Sequence, residues 1–381
     1  MENPGQDIDQ SIKSFDDLLE EVIQPGLCAR CQGCVSFCSA GELNALRIGE
    51  DEVSAYVDKE KCLKDGICYL ICPRTTDLDK DLKERFDWRP PIGTYRSVTS
   101  ARTTDPEVRQ VCTDGGVVTS LLDFLLGRNL AGGAVVSRKT GVWSRQATVA
   151  TTREELVEAA GSHFSEASHL EELGQKYCTT FSPILPAVKK LRTSRAEAMA
   201  VVGTPCQISS IRKMQVLGIL PAHIVRYTIG LFCMESFSFD ELSRRRLEKK
   251  LNLNLADIQK LNVKDDFMIT LSGGVTVHVP LEEVDLVARS ACLACPDFSN
   301  EYADLSVGGL GSPDGYTTVL VRTRDGQEIF EGALRHKYIE EREHPTVEDL
   351  RSEKTKTVGK IVSWSIRKRE RADKRRKELP D

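Results

Sequence analysis

CARCQGCVSFC, residues 28–38, places four cysteines in the spacing C-x2-C-x2-C-x3-C, at Cys28, Cys31, Cys34 and Cys38. A second run has the spacing C-x5-C-x3-C-P and contains Cys62, Cys68, Cys72 and Pro73. When Asp65 is counted as a ligand, the second run becomes C-x2-D-x2-C-x3-C-P, which repeats the first spacing with a carboxylate in place of one thiolate. The repeat predicts two metal centres in one N-terminal module.

This spacing is typical of two-cluster ferredoxin modules, in which the fourth ligand of each run binds the other cluster. On that pattern, a 4Fe-4S cluster takes Cys28, Cys31, Cys34 and Cys72. The second cluster takes Cys62, Asp65, Cys68 and Cys38, and its carboxylate makes 3Fe-4S an alternative to 4Fe-4S. Ser39 stands where a proline usually follows the fourth cysteine. Structural zinc is the alternative for both runs, but zinc prefers ligands in two pairs and the first run fits that poorly.

The composition is that of an ordinary globular chain, with 381 residues, 40% hydrophobic residues, 29% charged residues and a net charge of −5. This length accommodates two or three domains. The acidic residues 1–20 lack the features of a secretory signal or a transit peptide, and the apolar runs are shorter than the about 18 residues that cross a bilayer. Eleven of the thirteen cysteines are clustered in motifs, and we therefore expect a cytoplasmic protein in which they bind metal rather than form disulfides. The negative net charge gives no indication of nucleic-acid binding.

The sequence divides into an acidic leader, a dicluster ferredoxin-like module, two parts of a mixed α/β core, and a basic tail: residues 1–24, 25–88, 95–192, 193–350 and 351–381. Candidate strands in the module are Ala45–Ile48 and Val53–Val57. Two consecutive prolines make Arg89–Gly93 a linker. The predicted fold class is therefore α+β or α/β, with a dicluster ferredoxin-like module followed by a mixed α/β core.

Alternating apolar patterns and caps define the elements of the core. Strands are predicted at Gly133–Ser137, Gln146–Thr151, Ala198–Val202, Ile224–Leu231, Phe267–Leu271, Val275–Val279, Tyr316–Arg322 and Gln327–Phe330. Helices are predicted after Gly115-Gly116, at 153–160 behind a Thr152/Glu155 capping box, at Gln207–Leu217, and after a Ser238/Glu241 cap. Ser272-Gly273-Gly274 and Asp325-Gly326 both predict hairpin turns.

The strand–helix–strand unit between Ala198 and Leu231 predicts a third metal centre. Such crossovers bring both strand ends to one edge of a parallel sheet, where α/β proteins bind ligands. Cys206 and Cys233 follow these two strands, so we expect them to be neighbours. With Cys292 and Cys295 they provide four thiolates for a further 4Fe-4S cluster; buried thiols and structural zinc are the alternatives. Two cysteines without such partners are interpreted as ordinary thiols: Cys112 and Cys178.

A chain with three clusters moves single electrons, and flavin is the usual group that exchanges a hydride pair for them. The helices that begin after Gly115-Gly116 and after Gly203-Thr204-Pro205 offer backbone N–H groups to a pyrophosphate. A glycine pair before a helix is more often only a turn. No G-x-G-x-x-G follows a predicted strand, so a Rossmann nicotinamide site is unsupported.

Taken in order, several motifs resemble one known family: Gly115–Ser120, Gly174–Tyr177, Val202–Gln207, Gly230–Glu235, the Cys292/Cys295 pair, Ala303–Gly309 and Gly311–Gly315. Over residues 95–335 the chain is similar to the β subunits of coenzyme F420 hydrogenases and dehydrogenases, which bind FAD and a 4Fe-4S cluster. With its N-terminal module, it resembles the electron-input subunit of dehydrogenases that oxidise reduced F420. Asp65 and the basic tail depart from that pattern.

The resemblance implies that eight residues line the FAD: Gly115, Gly116, Thr119, Ser120, Lys176, Tyr177, Gly203 and Thr204. Lys176 would balance negative charge on the flavin or a phosphate, although a surface lysine is an equally good interpretation. The implied function is an oxidoreductase in which coenzyme F420 exchanges a hydride with FAD and the clusters relay electrons to partner subunits of a larger complex. No catalytic side chain is assigned, because hydride transfer depends on alignment more than on acid–base help.

Alternatives remain open at this stage. Within the fold they are the β subunit of an F420-linked formate dehydrogenase or hydrogenase, a heterodisulfide-reductase assembly, and a reductase of another substrate such as hydroxymethyl-chlorophyll. An iron–sulfur electron carrier without a flavin site is the alternative of another class. Residues 354–381 hold eleven Lys/Arg against four Asp/Glu. They are interpreted as a solvated helix or as a docking element for an acidic partner or a complex at the membrane.

Overall fold

The computed structural model describes residues 12–40, 42–49, 53–141, 144–161, 165–166, 178–179, 184–191, 196–239, 241–254, 257–263, 266–280, 283 and 288–378. Within these ranges the chain forms an N-terminal module, a large mixed sheet with helices on both faces, a small antiparallel sheet and a long C-terminal helix. None of the helices in these ranges has the length and apolar character required to span a membrane.

The helices are α1 (Phe15–Leu18), α2 (Gly33–Ala40), α3 (Ile67–Leu70), α4 (Asp79–Arg85), α5 (Pro106–Val111), α6 (Val117–Gly127), α7 (Arg153–Glu158), α8 (Leu185–Lys190), α9 (Pro205–Val216), α10 (Glu241–Leu251), α11 (Ser290–Leu293), α12 (Arg324–Arg335) and α13 (Val347–Lys377). The strands are β1 (Leu46–Ile48), β2 (Ser54–Tyr56), β3 (Ser97–Thr103), β4 (Ala134–Gly141), β5 (Ser144–Ala150), β6 (Ser165–Glu166), β7 (Cys178–Thr179), β8 (Met199–Gly203), β9 (Val225–Leu231), β10 (Ser238–Phe239), β11 (Ile258–Val263), β12 (Phe267–Leu271), β13 (Thr276–Val279), β14 (Leu305–Gly308), β15 (Thr317–Val321) and β16 (Ile339–Glu341).

The N-terminal module is built around one small apolar cluster. Strands β1 and β2 pair antiparallel, which confirms the two strands predicted there. Phe15 is fully buried, and its ring meets the ring of Tyr56 edge-on at 4.8 Å; burying such a side chain contributes about 1.5–3 kcal/mol. Phe15, Leu18 and Val22 share this cluster with Cys38 and Cys68. The described part of the acidic leader is therefore integral to the module.

The central sheet has eight strands in the order β16-β3-β15-β14-β9-β8-β4-β5. Its middle strands β14, β9, β8 and β4 are parallel neighbours, and the flanking pairs are antiparallel. The predicted β-α-β unit is confirmed as β8-α9-β9, with Val201 opposite Thr228. Cys206 and Cys233 consequently follow strand ends at the same edge of the sheet.

The two faces of this sheet have separate hydrophobic cores, because successive residues of a strand point to opposite faces. Ala134 and Val136 pack with α6, α7 and α12 on one face. Val135 packs with α8 and α9 on the other. Burial on both faces requires the continuous apolar runs that identified these strands in the sequence.

Local predictions around Asp325-Gly326 and at Ser238 are wrong. The Asp325-Gly326 pair does not form a hairpin, because it lies in the first turn of α12, where the Thr323 hydroxyl caps the helix by accepting from the Gly326 N–H at 3.1 Å. The strand predicted at Gln327–Phe330 is part of the same helix. A Cβ at Gly326 would overlap the carbonyl of Asp304, so close packing requires this glycine. Ser238 lies in strand β10, and α10 begins at Glu241.

Other local predictions are confirmed. Thr152 and Glu155 form the predicted capping box at the start of α7. Strands β12 and β13 pair as the predicted hairpin, and β11 adds a third strand. The basic tail is helical, as predicted, but α13 is not solvated all round, since Ile361 and Lys368 on it are buried.

Candidate functional site

The structure brings the first predicted ligand set together. The thiol of Cys34 interacts electrostatically with Cys28 and Cys72, and that of Cys31 interacts with Cys34 and Cys72. Helix α2 starts at Gly33, inside the run, so the fourth cysteine of the run is carried away along the helix. We call the residues Cys28, Cys31, Cys34 and Cys72 the first cysteine set.

The second predicted set is also assembled. The thiol of Cys68 interacts electrostatically with Asp65, Cys62 and Cys38, and these four residues are the second set. Asp65 is exposed, and one of its carboxylate oxygens accepts a hydrogen bond from the N–H of Ile67 at 3.1 Å. Asp65 therefore has a structural role in starting α3 that does not depend on metal.

The third predicted set comes from three distant parts of the chain. Cys206 lies in the first turn of α9, and Cys233 lies two residues beyond β9. The thiol of Cys206 interacts with Cys292 and Cys295, and that of Cys233 interacts with all three others. Topology alone predicted the first pair; of the second pair, Cys292 lies in α11 and Cys295 lies two residues beyond its end.

Burial raises the pKa of most of these thiols. It raises the pKa of Cys72 to about 11 and that of Cys34 further. Burial also raises the pKa of Cys295, but the positive charges of Lys368 and Arg74 outweigh it and lower that pKa to about 7. Metal binding at these sets must therefore displace protons from most thiols, while Cys295 is already poised to ionise.

The donor chemistry of the sets suits iron–sulfur clusters, which are held by four thiolates and tuned by hydrogen bonds to sulfur. Backbone N–H groups that donate to these sulfurs are Arg30 to Cys28 (3.4 Å), Ala45 to Cys38 (3.2 Å) and Ser236 to Cys292 (3.5 Å). Within the described ranges, no three His, Cys, Asp or Glu side chains are arranged to hold a single ion.

The three sets adjoin one another in a fixed order. Cys31 of the first set interacts electrostatically with Cys206 of the third. Cys34 of the first set interacts with Cys68 of the second. Cys31 also packs in the core cluster of α8 and α9. The first set therefore lies between the third and second sets, at the junction of module and core.

Buried and half-buried cations join the module to the core at this junction. Arg74 donates from Nε to the carbonyl of Leu27 at 3.1 Å and from Nη2 to that of Ala291 at 2.8 Å, so it spans the segments that carry the first and third sets. Two fully buried cations bridge in the same way: Lys213 to the carbonyl of Cys72 (2.8 Å) and Arg289 to that of Ala29 (3.0 Å). No pattern in the sequence indicated these residues.

A cavity of about 370 Å³ opens at the carboxyl ends of β8, β9 and β14, the edge where α/β sheets bind ligands. Four of the residues predicted to line FAD line it: Gly116, Thr119, Gly203 and Thr204. Two others are not among its lining residues: Gly115 and Ser120. The remaining two lie outside the described residues: Lys176 and Tyr177.

Gly115 and Ser120 have structural roles beside the cavity. A Cβ on Gly115 would press against the carbonyl of Ala101 and the backbone of Thr317. The buried hydroxyl of Ser120 donates to Thr103 Oγ1 at 2.6 Å. Both residues fix the start of α6 against the sheet rather than face the cavity.

The two helix starts differ in what they offer a ligand. Gly116 begins α6 with a φ of 73°, a conformation that favours glycine, and the next residues Val117 to Thr119 line the cavity. At α9, the N–H of Thr204 already donates to the side chain of Gln207 at 2.9 Å. The start of α6 is therefore the better candidate for holding an anionic group.

Sequence reasoning missed several lining residues. Cys233 lines the cavity and belongs to the third set. Phe232 and Trp364 add aromatic surface, and burial lowers the pKa of the lining residue Arg145 to about 10. Cys112, predicted to be an ordinary thiol, also lines the cavity and donates to the carbonyl of Asp114 at 3.0 Å. Only Cys233, which follows a predicted strand end, carried a usable signal.

Family models and known proteins are similar to this chain over most of its length. Residues 98–175 match the family described as coenzyme F420 hydrogenase/dehydrogenase, beta subunit N-term, and residues 196–346 match its C terminus. Coenzyme F420 hydrogenase subunit beta of Methanothermobacter thermautotrophicus is 33% identical over 74% of this chain and 94% of its own length. A subunit of the F(420)H(2) dehydrogenase of Methanosarcina mazei is 26% identical over 90% of each sequence.

A longer relative and a solved structure are also similar to the chain. Coenzyme F420-dependent sulfite reductase of Methanocaldococcus jannaschii is 30% identical over 82% of this chain, and the chain spans about half of that protein, 46%. A chain of the F420-reducing NiFe hydrogenase complex from Methanosarcina barkeri superposes with a TM-score of 0.61 at 27% identity, covering 76% of this chain and 94% of that chain. The mixed sheet, the matched segments and these relatives together show that the chain belongs to the family of coenzyme F420 hydrogenase/dehydrogenase beta subunits.

Proposed function

We propose that the chain is an iron–sulfur flavoprotein oxidoreductase subunit that exchanges a hydride between coenzyme F420 and FAD and relays single electrons to partner subunits. The observation that carries this proposal is the position of Cys233, which lines the cavity while its thiol belongs to the third set. A hydride acceptor held in the cavity would adjoin the entrance of the relay.

FAD, when bound, would convert the hydride pair into single electrons. The residues of this chain would hold and orient it. The start of α6, at Val118 and Thr119, offers N–H groups and the positive end of the helix dipole to phosphate. Arg145 adds positive charge to the lining, and the rings of Phe232 and Trp364 exclude water.

The ligand sets proposed for the relay are the three cysteine sets, with 4Fe-4S clusters in the first and third. The second set, with Asp65, would hold a 4Fe-4S or a 3Fe-4S cluster. Electrostatic contact between Cys31 and Cys206, and between Cys34 and Cys68, supports the order third, first, second. Asp65 is exposed, so the second set is the side from which a redox partner would take electrons. The net direction depends on the partner.

The relatives support F420 as the hydride donor or acceptor, because those reported are F420-linked subunits and enzymes. The match to the F(420)H(2) dehydrogenase subunit extends over 90% of this chain, so it reaches at least part of the N-terminal module. That match favours an electron-input subunit of a larger complex. Neighbouring subunits are therefore the proposed partners.

Anaerobic purification tests this function directly. We expect one FAD and about twelve iron atoms per chain. The visible band of F420 should bleach when an artificial electron donor drives its reduction, and should return when reduced F420 is oxidised by an artificial acceptor. Cys233→Ser should retain FAD but lose about four iron atoms and slow reduction of the N-terminal clusters by F420. The matched variant Cys112→Ser, also at the cavity wall, should keep its full iron content. Zinc in place of iron, or wild-type protein without FAD, would refute the proposal.

A further inference from the structure

Helix α13 carries a buried cation to the third cysteine set. The side chain of Lys368 is 1% exposed. Its Nζ donates hydrogen bonds to the carbonyls of Cys233 and Asp297, the latter at 2.8 Å. It also interacts electrostatically with the thiols of Cys295, Cys233 and Cys292. Three of the four members of the third set therefore experience this charge.

The same helix face reaches the cavity. Trp364 lies four residues before Lys368, hence one turn away on the same side of the helix, and it lines the cavity. Its ring lies 5.5 Å from that of Phe298. Arg371 on the next turn pairs with the buried carboxylate of Glu235 at 2.5 Å. These contacts hold the helix, and with it the ammonium group, in a fixed position beside the site.

The electrostatic consequence follows from what surrounds the charge. An ammonium is costly to bury unless negative charge compensates it. The two hydrogen-bond acceptors of Lys368 are neutral carbonyls, and the acidic groups that interact with its charge are the thiols of Cys295, Cys233 and Cys292 and, after them, the Asp297 carboxyl. A cluster held by four thiolates is anionic and gains one more negative charge on reduction. A fixed positive charge nearby favours the reduced form and raises the potential.

We propose that Lys368 raises the reduction potential of the cluster on the third set and that α13 is the element that positions this charge. The inference rests on the proposed function. It makes the cluster that adjoins the cavity a better acceptor for electrons leaving the hydride site. The helix starts at Val347, directly after the residues matched to the family, 196–346.

An EPR-monitored redox titration of the full-length protein tests the proposal. The signal of the third cluster is identified as the one missing from Cys206→Ser. In Lys368→Met, the ratio of reduced to oxidised third cluster at fixed potential should fall about ten-fold, which is about 59 mV for one electron. Lys368→Arg should stay near the wild-type value. The control Lys374→Met, exposed on the same helix, should not shift it.

Each outcome decides between charge and packing. A third cluster present at full content with an unchanged potential in Lys368→Met overturns the proposal. If Lys368→Met loses the cluster while Lys368→Arg keeps it at the wild-type potential, the charge is required and the proposal holds. Loss from both variants assigns the residue a packing role and overturns it. Wild-type iron, FAD and F420 measurements report separately on the proposed function, so its failure is distinguishable.

Discussion

Replacing Arg74 with methionine removes the guanidinium that joins the N-terminal module to the core. The side chain loses two hydrogen bonds, to the carbonyls of Leu27 and Ala291. Hydrogen bonds from a charged group contribute about 1.5–3 kcal/mol each. Arg74 is half-buried, so water restores part of this loss. We expect the free energy of unfolding to fall by about 2–4 kcal/mol.

Urea unfolding of the anaerobic protein, followed by tryptophan fluorescence, measures this change. The matched control is Arg89→Met, because Arg89 pairs with Asp87 at 2.9 Å with both side chains 73% exposed, and such surface pairs contribute about 0–1 kcal/mol. In Arg74→Met we also expect slower reduction of the N-terminal clusters by F420, since the guanidinium spans the junction that electrons cross. Equal stability losses in the two variants would show that Arg74 does not clamp the module.

Three further changes test the proposed ligand and the packing. Asp65→Cys should alter the EPR signal or potential of the second cluster, measured after anaerobic reconstitution. Gly230→Ala should destabilise the fold by about 1–3 kcal/mol in thermal unfolding, because a Cβ would overlap the side chain of Asn300. Burial raises the pKa of the Asp105 carboxyl, but its ion pair with Arg153 and its helix-capping bonds outweigh this and lower it. Asp105→Asn keeps a capping residue and should cost about 0.2–1 kcal/mol at pH 7, a difference that is lost as the pH falls below the ordinary Asp pKa of about 3.9 and through the lower folded pKa.

Each of these three changes has a defined direction or control and an outcome that would contradict it. A carboxyl with a lowered pKa stabilises the fold above its unfolded pKa of about 3.9, and the stabilisation is lost as pH falls through the folded pKa. A pH-independent effect of Asp105→Asn would contradict the ion-pair argument. Gly273→Ala is the control for Gly230→Ala, since nothing lies within 4 Å of a Cβ there. An unaltered spectrum in Asp65→Cys would remove Asp65 from the ligand set.

The sequence predicted what depends on spacing and on chain topology. The runs around Cys28 and Cys62 defined the membership of two sets, and the β8-α9-β9 unit placed Cys206 beside Cys233. The structure brings these residues near one another, because local spacing and crossover handedness constrain geometry strongly; their role as ligands stays a prediction. The hairpin predicted at Asp325-Gly326 is wrong because tertiary packing determines the conformation of this pair. The apolar residues that follow it bury one face of α12, so the pair lies in a helix.

The cations beside the cysteine sets could not be predicted from the sequence. Arg74 meets a carbonyl 217 positions away, and Lys368 meets one 135 positions away. No local pattern distinguishes Lys368 from the other basic residues of α13, because the difference lies in which side of the helix faces the core. The predicted FAD-lining residues show the same limit. Gly115 and Ser120 belong to the same motif as the cavity-lining residues Gly116 and Thr119, but they pack against the sheet instead of lining the cavity.

The cations packed around the cysteine sets explain how a chain of net charge −5 can favour anionic cofactors. Arg74, Lys213, Arg289 and Lys368 all donate to backbone carbonyls of segments that carry or flank ligand cysteines. A cation bound to a carboxylate is largely neutralised, and Lys213 loses part of its charge in this way because it also pairs with Asp79 at 3.5 Å. Arg74 and Lys368 donate to carbonyls and interact electrostatically with thiols of the third set, so they bring positive charge to it. The same hydrogen bonds that clamp module to core therefore leave positive charge at the sets, and stability at this junction and redox potential should change together when these side chains are replaced.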